Sequence, residues 1–314
     1  MFVFLAKRLA LGIGTLWVVS ILVFAGTELL PGDVATAVLG QGATKETVEA
    51  LREQMGLDKP ALGRYIKWIT KLAQGNMGES IATNRPIRSI MDDRVFNTFL
   101  LAGITALISV PLALLLGLLS VIYPEGILDR SISIVSLILI SLPEYFTGAA
   151  LILLFAVTWH IFPAVVYSSQ FSSIDQIIRA LTLPVITLTI AILAHMVRMT
   201  RAAVLDVLRA PFVEMALLKG VPKAQIILFH ALPNSLGPVI NVIALNLGYL
   251  VSGVVLVEAI FSYPGLGRLL TDSVANRDIP LVQAVTMVFC AVYVGLNLIA
   301  DMLTIITNPR LRTR

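Results

Sequence analysis

The sequence predicts an all-α membrane protein with six transmembrane helices, organised as a single domain over residues 1–314. Two observations carry that prediction. The chain is 57% hydrophobic and 13% charged, with a mean hydropathy of +0.90, and a soluble domain of this size has no means of hiding so much apolar surface. The apolar residues also gather into runs at 9–30, 98–122, 132–158, 181–204, 236–260 and 281–307. Each meets the ~20 residues needed to cross ~30 Å of hydrocarbon. No repeat of fixed period and no flexible linker divides the chain.

The first run follows Lys7 and Arg8, and Ala35-Thr36-Ala37 supplies small residues like those of a leader cleavage site. The run is longer than the ~7–15 residues of a signal core, which favours a retained span. The outer segment, 32–97, holds the only sizeable polar stretch. Val48, Leu51 and Met55 recur at helical spacing and Gly56 follows as a stop; Pro60 then opens a second run with Leu62, Tyr65, Ile66, Ile69 and Ala73 on one face. These read as two short amphipathic helices lying at the outer membrane surface or capping the bundle. Pro111, Pro143 and Pro184 fall within or at the ends of spans, where neighbouring helices can satisfy the freed carbonyls. Glu144 sits about twelve residues into the third run, roughly 18 Å deep along a straight helix. An acid there either lines a wet path or hydrogen-bonds between helices. Glu258 and Asp301 lie nearer span ends and suit structural pairing, while Asn241, Asn246 and Asn297 suit hydrogen bonds between helices. Arg198 and Arg201, one turn apart at the end of the fourth run, suit anchoring near lipid phosphates or a gate latch with an acid of another chain.

Orientation follows from the basic residues of the short loops. With the N-terminus inside, that side holds Lys7, Arg8, Arg130, Arg198, Arg201, Arg209, Lys219, Lys223, Arg310, Arg312 and Arg314, against Arg179, Arg268 and Arg277 outside. The long outer segment carries nine basic and eight acidic residues and does not tip the balance. Both termini and the polar stretch 205–235 are therefore expected in the cytoplasm. That stretch reads as a short helix from Pro211, a break at Gly220, and a second short helix that Pro222 begins and Pro233 ends before the fifth span.

The hairpin resembles the loop shared by permease subunits of bacterial ATP-binding-cassette importers. Glu214, Ala216, Gly220, Leu232 and Pro233 match its pattern in type and spacing, with Met215 in place of an alanine and His230 in place of an isoleucine. Phe212-Val213, Lys219-Gly220 and His230-Ala231-Leu232-x-Asn234 are similar to the dipeptide, oligopeptide and nickel branch. So are Leu57-Asp58-Lys59-Pro60, Met77-Gly78-Glu79-Ser80, Arg85-Pro86, Pro264-Gly265-Leu266-Gly267-Arg268, Asn276-Arg277-Asp278-x-Pro280-x-Val282-Gln283 and Asn308-Pro309-Arg310. The resemblance implies the type I importer permease fold and a multi-pass place in the bacterial inner membrane. It also implies partners: a homologous permease chain sharing the pathway, two cytoplasmic ATP-binding subunits and an external substrate-binding protein. In that reading Glu214, Ala216, Lys219, Gly220, His230, Leu232 and Pro233 form the ATPase-coupling loop. Val213, Ala216 and Leu217 are its groove-filling face, with Glu214 and Lys219 on the rim. Peptides are the solute the resemblance favours, with nickel or another small solute as alternatives. A stand-alone secondary transporter is the rival from a different class.

The chemistry that is missing narrows the function. No Gly-Lys dipeptide occurs, so the chain has no phosphate-cradling loop, and ATP hydrolysis is expected on partner subunits. No His-Glu-x-x-His or Gly-x-Ser-x-Gly is present, so no catalytic residue is assigned. His160, His195 and His230 stand 35 residues apart, and no metal site or cofactor is expected on this chain. Cys290 is the single cysteine, which excludes an internal disulfide. A net charge of +4 without basic residues interleaved with aromatics gives no nucleic-acid footprint; the partner surface is the bilayer.

Overall fold

Proline, glycine and buried carboxylates decide where the helices of this bundle begin and end. The computed structural model describes residues 2–29, 44–55, 58–166 and 173–307. In order these form α1 (Phe2–Glu28), α2 (Lys45–Met55), α3 (Ala61–Ala73), α4 (Ile87–Ile122) and α5 (Ile127–Ser141). Next come α6 (Glu144–Leu151, continued in π-helical turns over Ile152–Thr158), α7 (Ile174–Leu208) and α8 (Pro211–Leu218). The last three are α9 (Lys223–Ile260), α10 (Leu266–Ala275) and α11 (Ile279–Thr307). Among the described residues the extended backbone pairs only in one isolated bridge, Glu79 with Pro86. Asn308-Pro309-Arg310, Arg312, Arg314, Gly56, Leu57 and the first part of the outer segment, with Ala35-Thr36-Ala37, lie outside the described residues.

Helices α1, α4, α7, α9 and α11 are each long and apolar enough to cross a membrane. The third predicted span needs correction. Instead of one helix over 132–158, α5 starts at Ile127 and meets α6 at an angle of 99°. The cause is Pro143: it disfavours helical backbone in Leu142, which is extended (φ −87°, ψ 122°). The two pieces supply a sixth crossing when the bent pair is counted as one span.

The core is built by α4, α7 and α9. Leu101, Leu183, Leu188, Met196, Leu250, Val254 and Phe261 meet there and are almost fully buried. Pro111 and Pro184 sit inside α4 and α7 without ending either helix. Helix α11 packs on α9 and carries α1 on its other side. Arg8 pairs with Asp301 at 3.1 Å and Gln283 donates to Thr27 at 2.8 Å, so α1 is tied to α11 near both ends. The two predicted outer helices are α2 and α3. Tyr65 and Trp68 of α3 pack on Phe24 of α1, and Tyr65 shares a hydrogen bond with Ser20. Leu62 and Ile66 of the same predicted apolar face are exposed, as a face turned to the membrane surface would be. Of the three asparagines, Asn241 alone bridges helices, accepting from Thr304 at 3.0 Å. Asn246 and Asn297 donate to carbonyls of their own helices.

Two carboxylates organise the far end of the bundle. Glu258, fully buried at the end of α9, accepts from Thr98 (2.6 Å) and from the backbone N–H groups of Gly267 (2.6 Å) and Arg268 (3.2 Å). It thereby caps α10, whose first amides have no partner within their own helix. Thr98 in turn accepts from the Leu266 N–H at 2.8 Å. Tyr263 donates to the Asn97 carbonyl at 3.1 Å, and burial raises its pKa above the ordinary tyrosine value, so it remains a donor. Asp278 accepts from Ser80 and from the N–H groups of Ile81 (3.2 Å), Ala82 (3.4 Å) and Leu281 (3.4 Å). The motifs at 77–80 and 276–283, remote in sequence, are thus two halves of one joint.

Candidate functional site

Two regions hold the residues singled out in the sequence. The first is the hairpin. Helix α8 starts with Pro211 in its first turn, which needs no N–H there, and ends at Lys219. Gly220 follows with φ +75°, a left-handed backbone that ends the helix at no steric cost. Pro222 (φ −58°, ψ 138°) then caps α9 from one residue outside it, rather than sitting within its first turn.

The predicted second short helix does not exist as a separate element. Helix α9 runs from Lys223 through Pro233 and on to Ile260, so Pro233 is not a stop. The physical reason lies just before it. Residues Ile226–Ala231 are wound as a π-helix, which moves the carbonyls that a proline ring would otherwise strike. Asn234 donates its side-chain N–H to the His230 carbonyl at 2.7 Å, giving that group a partner.

The face presented by the hairpin also differs from the expected one. Val213 is buried against the chain itself and does not point outward. The exposed apolar residues are Phe212, Met215, Leu217 and Leu218 on α8, with Leu228 and Phe229 on α9; Leu218 is 78% exposed. Glu214, Lys219, Gly220, His230 and Pro233 are exposed beside them, and Ala216 and Leu232 are half-buried. Behind this face, Ile227 and Ala231 pack on Val121 and Val204, which roots the hairpin on the ends of α4 and α7.

Arg201 belongs to that root. Its guanidinium grips Asp129 at the start of α5 through Nε (3.1 Å) and a terminal nitrogen (3.0 Å). The same Nε lies 2.9 Å from the Ser120 hydroxyl of α4. Ser120 also bonds Asp129, and the Glu125 N–H donates to it at 3.1 Å. This in-chain partner was in neither sequence reading of Arg201. An Asp at the first turn of a helix, followed far along the chain by an Arg on another, carries no local pattern that would have joined them.

The second region is the surface of α6, α7 and α9. Glu144 opens α6 directly after the 99° break. The depth estimated along a straight helix therefore does not apply. Its half-buried carboxylate lies against Gly253 of α9, with oxygens 3.1 and 3.2 Å from where a Cβ would stand. It has no hydrogen-bond or ion-pair partner among the described residues. An open groove of about 630 Å³ continues between α6 and α9, lined by Tyr145, Ala149, Leu153, Leu256 and Ile260. Arg198 is exposed on α7 and has no ion-pair partner among the described residues, while His195 lies edge-on to Tyr249 with ring centroids 6.4 Å apart.

The family described as "binding-protein-dependent transport system inner membrane component" matches residues 109–313, and its N-terminal companion family matches residues 1–102. The chain belongs to this family and is a multi-pass permease of an ATP-binding-cassette importer. It is 32% identical over 99% of its length to a probable peptide ABC transporter permease of Sinorhizobium fredii, covering 99% of that protein. It is 35% identical to the glutathione transport system permease GsiC of Pectobacterium atrosepticum, over 98% of this chain and 97% of that one. The corresponding Escherichia coli K12 protein is 34% identical, with 98% of each chain covered. A chain from an inward-facing structure of the MetNI methionine ABC transporter superposes with a TM-score of 0.55 at 17% identity, over 70% of this chain and 96% of that one. That likeness supports the type I permease fold.

Proposed function

We propose that this chain is one of two homologous permease chains of an ATP-driven peptide importer in the bacterial inner membrane, with the solute path between them. The hairpin is the observation that carries this reading. It lies at the end of the bundle where α1 starts and α11 finishes, and the basic-residue count puts that end in the cytoplasm. Its exposed Phe212, Met215 and Leu218 are the apolar face for a groove on an ATP-binding subunit, with Glu214 and Lys219 at the rim. Leu232 adjoins the root of Ile227 and Ala231 that turns hairpin displacement into helix movement, and His230 and Pro233 stand exposed beside it. Closure of two ATPase subunits moves the hairpins, the permease helices rock, and the path opens alternately to either side. Solute arrives from an external binding protein. The relatives named for peptide and glutathione transport support a short peptide as that solute. Glu144, unpartnered at the helix break, lines the path.

The test is co-purification of the ATPase subunits with two variants, alongside uptake in reconstituted vesicles. Gly220→Val forces a β-branched residue into left-handed backbone, at about 1–2 kcal/mol, and should abolish uptake while the chain still inserts. Glu214→Lys should weaken docking, more so at low salt. Full docking and uptake in both would remove the hairpin from the coupling mechanism.

A further inference from the structure

The acids buried in the bundle, Asp129, Glu258 and Asp278, are each satisfied inside the chain, as are the guanidinium of Arg201 and the Arg8–Asp301 pair. Glu144 and Arg198 are different. Neither has a hydrogen-bond or ion-pair partner among the described residues, and both lie on segments long and apolar enough to cross a membrane, Glu144 in the bent pair α5–α6 and Arg198 in α7. They also share a face. Glu144 rests on Gly253 of α9; one turn back along α9 is Tyr249, 65% exposed; Tyr249 meets exposed His195 of α7; and one turn further along α7 is exposed Arg198. Because α7 and α9 run in opposite directions, these steps add in one direction, roughly 10 Å of axial rise from Gly253 to Arg198. Two other exposed stretches contrast with this strip. Helix α1 exposes Leu9, Leu11, Ile13, Trp17, Val18 and Leu22, and α4 exposes Leu107, Ile108 and Leu115. Unpaired charges are costly against lipid and are placed on water-filled paths, whereas the apolar stretches of α1 and α4 suit lipid.

We propose that the strip Glu144–Tyr249–His195–Arg198 lines the solute path and is polarised along it. The carboxylate end receives a protonated amine, the guanidinium end receives a carboxylate, and the phenol and imidazole between them hydrogen-bond the uncharged part. The solute class is a zwitterion, such as a peptide with free ends. This rests on the importer reading above and extends it from one acid to a directional site.

Cysteine reactivity in the assembled, detergent-solubilised transporter tests the strip without a known solute. In a Cys290→Ser background, Ser252→Cys next to Gly253 and one turn from Tyr249, Tyr249→Cys, and Ala202→Cys one turn from Arg198 are compared with Leu107→Cys on α4. The probes are a cationic and an anionic water-soluble methanethiosulfonate. All three strip positions should react readily and Leu107→Cys hardly at all. The cationic probe should lead by about tenfold at Ser252→Cys and the anionic probe by a similar factor at Ala202→Cys, as expected for fields focused in a cleft. Glu144→Gln should cancel the first preference and Arg198→Gln the second. Gly253→Ala should weaken the first, because its methyl would press on the Glu144 oxygens. Strip positions as unreactive as Leu107→Cys would overturn the assignment, and so would equal rates for the two probes. ATP-driven uptake is measured separately on the same complex in vesicles. Its absence with strip reactivity intact would sink the importer reading and leave the polar path standing.

Discussion

Glu258 shows how one residue can hold two helices together chiefly through hydrogen bonds to hydroxyl and amide groups. Its carboxylate takes the amides at the start of α10, and the space it occupies dictates the residues around it. A Cβ at Gly265 would overlap the carboxyl group, and one at Gly267 would collide with the Val255 backbone. Gly265→Ala should therefore destabilise the bundle by about 1–3 kcal/mol, the usual cost of overpacking. Thr98→Val should cost a similar ~1–3 kcal/mol by leaving the buried Leu266 N–H unpaired. Thermal inactivation of the purified complex measures both; unchanged midpoints would show that the cap is dispensable. In the sequence Glu258 reads only as an acid in need of pairing. Its partners are two backbone amides, which every residue has, and a threonine 160 residues away, so no local side-chain pattern announces them. The Gly265-x-Gly267 spacing is visible in one dimension, but the carboxylate that requires it is not.

At the level of elements, two prolines had opposite outcomes. Pro143 breaks the chain between α5 and α6, and Pro233 lies inside α9 without breaking it. A proline's own constraints are the same in both places. The stretch ahead of Pro233 is π-wound, which eases the proline there; Pro111 and Pro184 are held inside α4 and α7 without such winding, and hydrophobicity patterns carry no signal for either outcome. Element existence was legible from apolar runs of the right length, and α2 and α3 from their helical spacing. The short α10 was missed because its start depends on Glu258, an acid outside the helix. The grip of Arg201 on Asp129 joins α4, α5 and α7 behind the hairpin and was equally hidden. Arg201→Ala would strand a buried carboxylate. The cost should be about 3 kcal/mol, the low end for broken buried pairs, because Arg201 is 35% exposed while Asp129 is 7% exposed. A double-mutant cycle with Asp129→Asn should return a coupling of about 1 kcal/mol or more. Additive losses of inactivation temperature would mean the pair does not act as a joint.

For the whole molecule, the sequence carried the class and the family, because bilayer crossing imposes length and composition on every span. It also makes a testable statement of sidedness. In intact cells, with Cys290 replaced by serine, a membrane-impermeant maleimide should label Lys45→Cys and leave Lys219→Cys untouched; the reverse result would invert the orientation. Sidedness matters because of α9. This helix begins at the hairpin and ends at the Glu258 cap, and 38 residues of helix span roughly 57 Å. It is gripped between its ends by α7 and α11. A rod held in its middle is a lever. On the coupling proposed above, a push on the hairpin one way would swing the outer end of α9 the other way and carry α10 with it through the Glu258 cap. The two gates of the path would then move in opposite senses as parts of one rigid body, and no separate relay across the membrane is required.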